Sequence, residues 1–268
     1  MFLFMISTAL TETKPVDTVY FESGTFIRGS GRSTDESPRH EVFLSGFYID
    51  MYEVSIAEFE QFAQNAYQQD NFWSPEGLKW KQQNPNGSGQ ENRRAGRDEN
   101  HPVVAVTWYE ADAFCRYRGG FLPTESQWER AACPTSNQDI TQPAQKFPWG
   151  NNDAIEAVWY SGGKYGHLQS VLTKPVQQSP KNQQTTEGLV HTVGNVWEWT
   201  SEYYHRESYQ KKETPDPQGP KTGHWKTLRG GSFMNLPSYC SCTHREPAEP
   251  DRVSYTIGFR CAYPDIQN

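Results

Sequence analysis

Near the C-terminus the chain reads "LRGGSFMNLPSYCSC", residues 228 to 242. Cys240 and Cys242 stand one residue apart, and His244 and Arg245 follow at once. A histidine beside a thiol lowers its pKa and frees the reactive thiolate. Cys240 with His244 is therefore the candidate catalytic pair. The competing reading of Cys240 is a buried thiol that only packs.

The other cysteines are Cys115, Cys133 and Cys261, which makes five in all. They form no CxxC and no Cys/His spacing of zinc type. Two disulfides plus one free thiol would suit an oxidising compartment, and five reduced cysteines the cytosol. Both remain open at this point. The seven histidines make no HxxxH or HExxH pattern. No Ser/His/Asp order or phosphate-cradling glycine loop stands out.

Three helices with clear starts must position these groups. In "VSIAEFEQFAQNAY" Ser55 is the N-cap and Glu58 stands three residues on, a capping box, with Val54 and Phe59 at the staple positions. "TWYEADAFCRYRGG" repeats the device with Thr107 and Glu110, and Gly119 stops the helix. "TESQWERAAC" repeats it with Thr124 and Gln127. Residues 19 to 50 alternate in short bursts and read as strands and turns. Residues 81 to 100 have almost no apolar side chains and read as a long loop, which inside a domain is usually functional or disordered.

The chain has 268 residues, net charge −7 and mean hydropathy −0.85, yet carries 9 Trp, 14 Tyr and 14 Phe. So many rings argue against disorder and for a loop-rich fold whose core they fill. The charge excludes a general nucleic-acid footprint. The one basic cluster, Lys79, Lys81, Arg93, Arg94 and Arg97, reads as a solvated loop. No run approaches the ~20 apolar residues of a membrane span. "MFLFMISTAL" reads either as the remnant of a secretory signal or as an ordinary N-terminal segment. The expected organisation is an N-terminal segment, 1–18, and one α+β domain, 19–268, with little regular structure.

Seven blocks, "GTFIRGS", "FYIDMYEVSIAEFEQF", "HPVVAVTWYEADAFCRYRGGFLPTESQWERAA", "FPWGN", "VGNVWEWTSEYY", "LRGGSF" and "IGFRCA", occur in one order over residues 19 to 263. Together they resemble the formylglycine-generating enzyme (sulfatase-modifying factor) family. The resemblance implies a C-type-lectin-like fold. In the enzymes that name the family, two cysteines bind copper(I), and oxygen converts a substrate cysteine to formylglycine. Here Asn235 stands at the first cysteine's place, and Cys240 follows five residues later. The loop from Cys240 to Cys242 is about three residues shorter than the enzymes' loop. The resemblance also implies the disulfides Cys115–Cys261 and Cys133–Cys242, each closing more than a hundred residues. The chain-entropy model values such a bridge at roughly 4–5 kcal/mol as an upper guide.

Calcium enters through the same resemblance. The carbonyls of Gly194 and Val196 and the carboxylate of Glu198 would line one side of an extended segment and offer hard oxygens. His191 replaces a further oxygen ligand. The competing reading pairs Glu198 with an arginine and packs Trp197 and Trp199 in the core. A second family calcium site has Ala157 where an Asn is expected. Copper or iron lacks a full ligand set. Related sulfoxide synthases draw their iron ligands from a separate helical domain that these residues do not contain.

The expected function is a periplasmic or secreted binding or maturation accessory protein without formylglycine-generating activity. Its unidentified protein or peptide partner would meet Asn235, Tyr239, Arg245, Trp73, Trp80 and the 81–100 loop. The alternatives are a metal-dependent oxidase that tailors a peptide or cofactor, as the family's pyoverdine-maturation oxidase is assigned to do, a divergent formylglycine-generating oxidoreductase, and a cytoplasmic location.

Overall fold

The three capping boxes form. In a computed structural model, Ser55, Thr107 and Thr124 each accept the backbone N–H three residues on, and Glu58, Glu110 and Gln127 reach back to the cap's own N–H. They start α1 (Ile56–Asn65), α3 (Trp108–Tyr117) and α4 (Glu125–Ala132). Gly119, at φ +78°, follows the α3 cap where a left-handed residue ends a helix. The structure describes residues 17–89, 98–133, 139–151, 173–178, 184–210 and 215–265. The first sixteen residues and Ala157 lie outside them.

One helix departs from the sequence reading. Pro75–Gln83 forms α2, capped by the Ser74 side chain with Pro75 in the first turn. Residues 81–83 therefore close a helix and do not begin a loop. Serine before proline suits a helix start because proline's missing N–H is unpaired there anyway.

Nine strands make three small sheets among the described residues. β1 (Thr18–Phe21), β4 (Phe47–Asp50) and β9 (Ala262–Pro264) form one, antiparallel, in the order β1-β4-β9. β2 (Gly24–Arg28) pairs antiparallel with β3 (His40–Leu44). The third sheet has the order β7-β6-β5-β8, from β5 (Trp197–Tyr203), β6 (Lys226–Arg229), β7 (Glu246–Ala248) and β8 (Ile257–Gly258). β8 runs parallel to β5 and the other pairs are antiparallel.

Rings fill the main core. Phe59 of α1 stacks on Phe114 of α3 at 5.5 Å, and Phe62 and Phe259 meet Phe114 edge-on. Cys115 at the end of α3 is bridged to Cys261, and Cys133 after α4 to Cys242. These two bridges tie the helices to the last third of the chain.

Candidate binding groove

The four-stranded sheet has two different faces because side chains alternate along each strand. Glu198 lies opposite Arg229, and both point to buried charge. Trp197, beside Ile257, and Leu228, beside Glu246, belong to the other face. There Trp197, Leu228 and Ile257 floor a groove of about 330 Å³. Met234, Asn235 and Tyr239 wall one side, and Glu246, Arg252, Ser254 and Thr256 line the rest. Met234, Leu236, Tyr239, Val253 and Tyr255 are exposed large apolar side chains on the two loops beside it. Apolar clusters of this kind mark interaction surfaces when they are contiguous.

The 230–240 loop is set by its glycines and its asparagine. Gly231 has φ +76°, and a methyl there would collide with the Cys240 side chain. Asn235 accepts from the Ser232 N–H at 3.1 Å and from its hydroxyl at 2.6 Å, so its amide closes its own turn. Cys240 is fully buried with Phe147, Val193 and Trp149. Its thiol lies 3.9 Å from the Ser232 carbonyl and 3.6 Å from the Leu236 carbonyl. Burial pushes the thiol up to about 12.

His244 sits elsewhere. Its ring meets Tyr239 edge-on at 5.3 Å and Trp197 at 5.8 Å, and its Nε2 is 3.8 Å from a Glu246 oxygen. The thiol's partners are backbone carbonyls and the imidazole's neighbours are rings and Glu246, so the loop does not join them as a hydrogen-bonded pair. Copper(I) does not fit this loop either. It needs two soft donors, and Asn235 offers an amide already used in its turn.

Two further sequence expectations are corrected, and a third meets a competing partner. Arg245 is buried and pairs with both Glu125 oxygens, at 2.8 and 2.7 Å, beneath the sheet and away from the groove. Trp73 is buried, donates to the Tyr67 carbonyl and stacks on Trp80, which stacks on Tyr109. Trp73 and Trp80 thus belong to the packing around α2, and neither lines the groove. The calcium set expected from Gly194, Val196 and Glu198 meets a competing partner for its carboxylate. Gly194 and Asn195 both have positive φ, so the segment before β5 is not the plain extended run that the sequence reading assumed. The Glu198 carboxylate takes two charge-assisted bonds from Arg260, both 2.7 Å, and one from the Trp128 indole. Arg260 thus neutralises the carboxylate that would bind calcium, as the competing reading has it.

Glu53 lies near this pair. Burial, then the Glu198 charge, raises its carboxyl well above the usual range. Among the described residues no group of three or more His, Cys, Asp or Glu is placed to hold a metal ion. Leu228, Met234, Glu246 and Arg252 were not singled out from sequence, and Trp197 was read only as a core ring. The alternation in "VWEWTSEY" carried the signal for the floor.

Residues 6–264 match the model of the sulfatase-modifying factor enzyme 1-like domain, and the chain belongs to that family. It is 32% identical to the formylglycine-generating enzyme of Mus musculus over 95% of this chain and 75% of that protein. It is 34% identical to the serine/threonine-protein kinase pkn1 of Chlamydia caviae over 94% of this chain, and it spans 39% of that relative's length. The fold matches Treponema denticola variable protein 1 with a TM-score of 0.68 at 22% identity, covering 92% of this chain and 94% of that one.

Proposed function

We propose that this protein is a binding or maturation accessory member of the family, without formylglycine-generating activity, that holds a protein or peptide partner in the groove on the sheet. One observation carries the reading. The position of one family thiol is an asparagine that caps its own turn, and the other thiol is buried and held protonated. Exposed apolar side chains flank the site, Met234, Leu236 and Tyr239 on one side, Val253 and Tyr255 on the other, with the polar Arg252 among them. Two disulfides suit a periplasmic or secreted setting.

The test offers the purified protein a random displayed-peptide library and, separately, a cysteine peptide of the sulfatase type with copper and oxygen. The reading expects enriched peptides that Met234→Asp with Leu236→Asp no longer selects, and an unchanged cysteine. Conversion of that cysteine to an aldehyde overturns it.

A second reading, a metal-dependent oxidase tailoring a peptide or cofactor, draws on His244. Its buried Nε2 has no hydrogen-bond partner, and its ring packs against Trp197 and Tyr239 of the groove. That reading requires bound transition metal that His244→Ala releases.

A further inference from the structure

The polar lining of the groove offers more hydrogen-bond donors than acceptors. The Asn235 side-chain oxygen is taken by the Ser232 N–H and hydroxyl, which leaves Nδ2 to donate. The Ser254 and Thr256 hydroxyls lie 2.8 Å apart and share one bond, so one of their two hydrogens remains for another acceptor. Arg252 is exposed on the loop from β7 to β8 and lines the groove. Among the described residues no carboxylate pairs with its guanidinium.

Acceptors are scarcer. Glu246 is the one carboxylate on the lining, and it stands 3.8 Å from the His244 Nε2. The acids beside Arg252 in the chain serve elsewhere. Glu249 is 3.5 Å from His224, and Asp251, after burial and Glu76, raises the Tyr109 hydroxyl. Neither lines the groove.

Such a surface fits a ligand that brings a carboxylate on an apolar body. A guanidinium meeting a carboxylate makes the strong, charge-assisted kind of hydrogen bond, and the floor of Trp197, Leu228 and Ile257 takes the apolar part. Apolar side chains also neighbour each donor in sequence. Met234 and Leu236 stand beside Asn235, and Val253 beside Arg252, and all three are exposed. That alternation suits an acidic residue set among apolar ones in a chain, and not a free anion. Resting on the reading of the groove as a peptide site, we infer that the partner segment carries an aspartate or glutamate flanked by apolar residues, and that Arg252 with Asn235 receives its side-chain carboxylate.

The test selects peptides from a random displayed library on the purified full chain. The enriched peptide is then made with an amidated C-terminus, once with its acid and once with the matching amide, and titrated by fluorescence anisotropy. The expected sequences share an acid beside aliphatic or aromatic residues. The amide analogue should bind wild type about tenfold more weakly, one charged hydrogen bond's worth. That gap should close in Arg252→Ala and narrow at high salt. Arg252→Glu, at an exposed position, should keep the melting temperature and enrich basic residues instead. Peptides that depend on Met234 and Leu236 but share no acid, or an amide analogue bound as tightly as the acid, overturn this inference and leave the groove reading standing. So does binding that needs only a free C-terminal carboxylate. No enriched peptide at all overturns both.

Discussion

Two residues decide what the site can do. The Cys240 thiol is buried beneath the loop and its pKa is about 12, so thiolate is scarce at neutral pH. In the native protein it should react with iodoacetamide at pH 8 at least about a hundredfold more slowly than a free thiol. Rapid native labelling would return Cys240 to the list of nucleophiles. Glu198 is the second. With its carboxylate and the Arg260 guanidinium both fully buried, removing one partner leaves an uncompensated charge. Glu198→Gln should therefore lower the unfolding free energy by about 3–5 kcal/mol in calcium-free buffer, measured by denaturant titration. A change below about 1 kcal/mol would mean the pair is not the carboxylate's main role.

At the scale of elements, local signals were readable and directions were not. Caps and staples act within a few residues, so Ser55, Thr107 and Thr124 announced their helices. Thr107→Ala should cost about 1 kcal/mol, because the Thr107 hydroxyl and the Glu110 carboxylate satisfy each other's backbone donors. A neutral result in urea unfolding would show that tertiary packing alone holds α3. The Ser74–Pro75 start of α2 was equally local, but the polar residues after it masked the helix. Trp73 and Arg245 could not be placed from sequence, since a large ring or guanidinium suits a surface or an interior equally. What decides is the partner across the fold, Tyr67 for Trp73 and Glu125 for Arg245. The disulfides were legible only through the family's pattern, and the groove joins residues of β5, β6, β8 and two loops that are too far apart to be linked by spacing.

The whole molecule stores charge beneath its sheet, and that makes stability depend on pH in opposing ways. Burial, then the Glu125 charge, raises Glu202 from 4.5 to about 7. The fold binds that proton more tightly than the unfolded chain does. Its stabilisation is full below about pH 4.5 and is lost as pH rises toward 7. Glu125 behaves oppositely. Burial alone would raise it, but Arg245, Arg28 and Arg229 hold it at about 2, so its contribution is present above 4.5 and lost as pH falls toward 2. His191, held at about 3 by burial, contributes above 6.5 and loses this as pH falls toward 3. Glu202→Gln mimics the protonated acid. Its melting temperature relative to wild type should rise between pH 5 and pH 8, and a pH-independent difference would contradict the assignment.

The central claim is that this family member recognises and does not oxidise. Mass spectrometry of a sulfatase-type cysteine peptide after incubation with the purified protein, copper, reductant and oxygen tests it most directly. The account predicts an unmodified peptide at all times. Turnover to formylglycine that disappears in Cys240→Ser would contradict it and make the buried thiol the reactive centre.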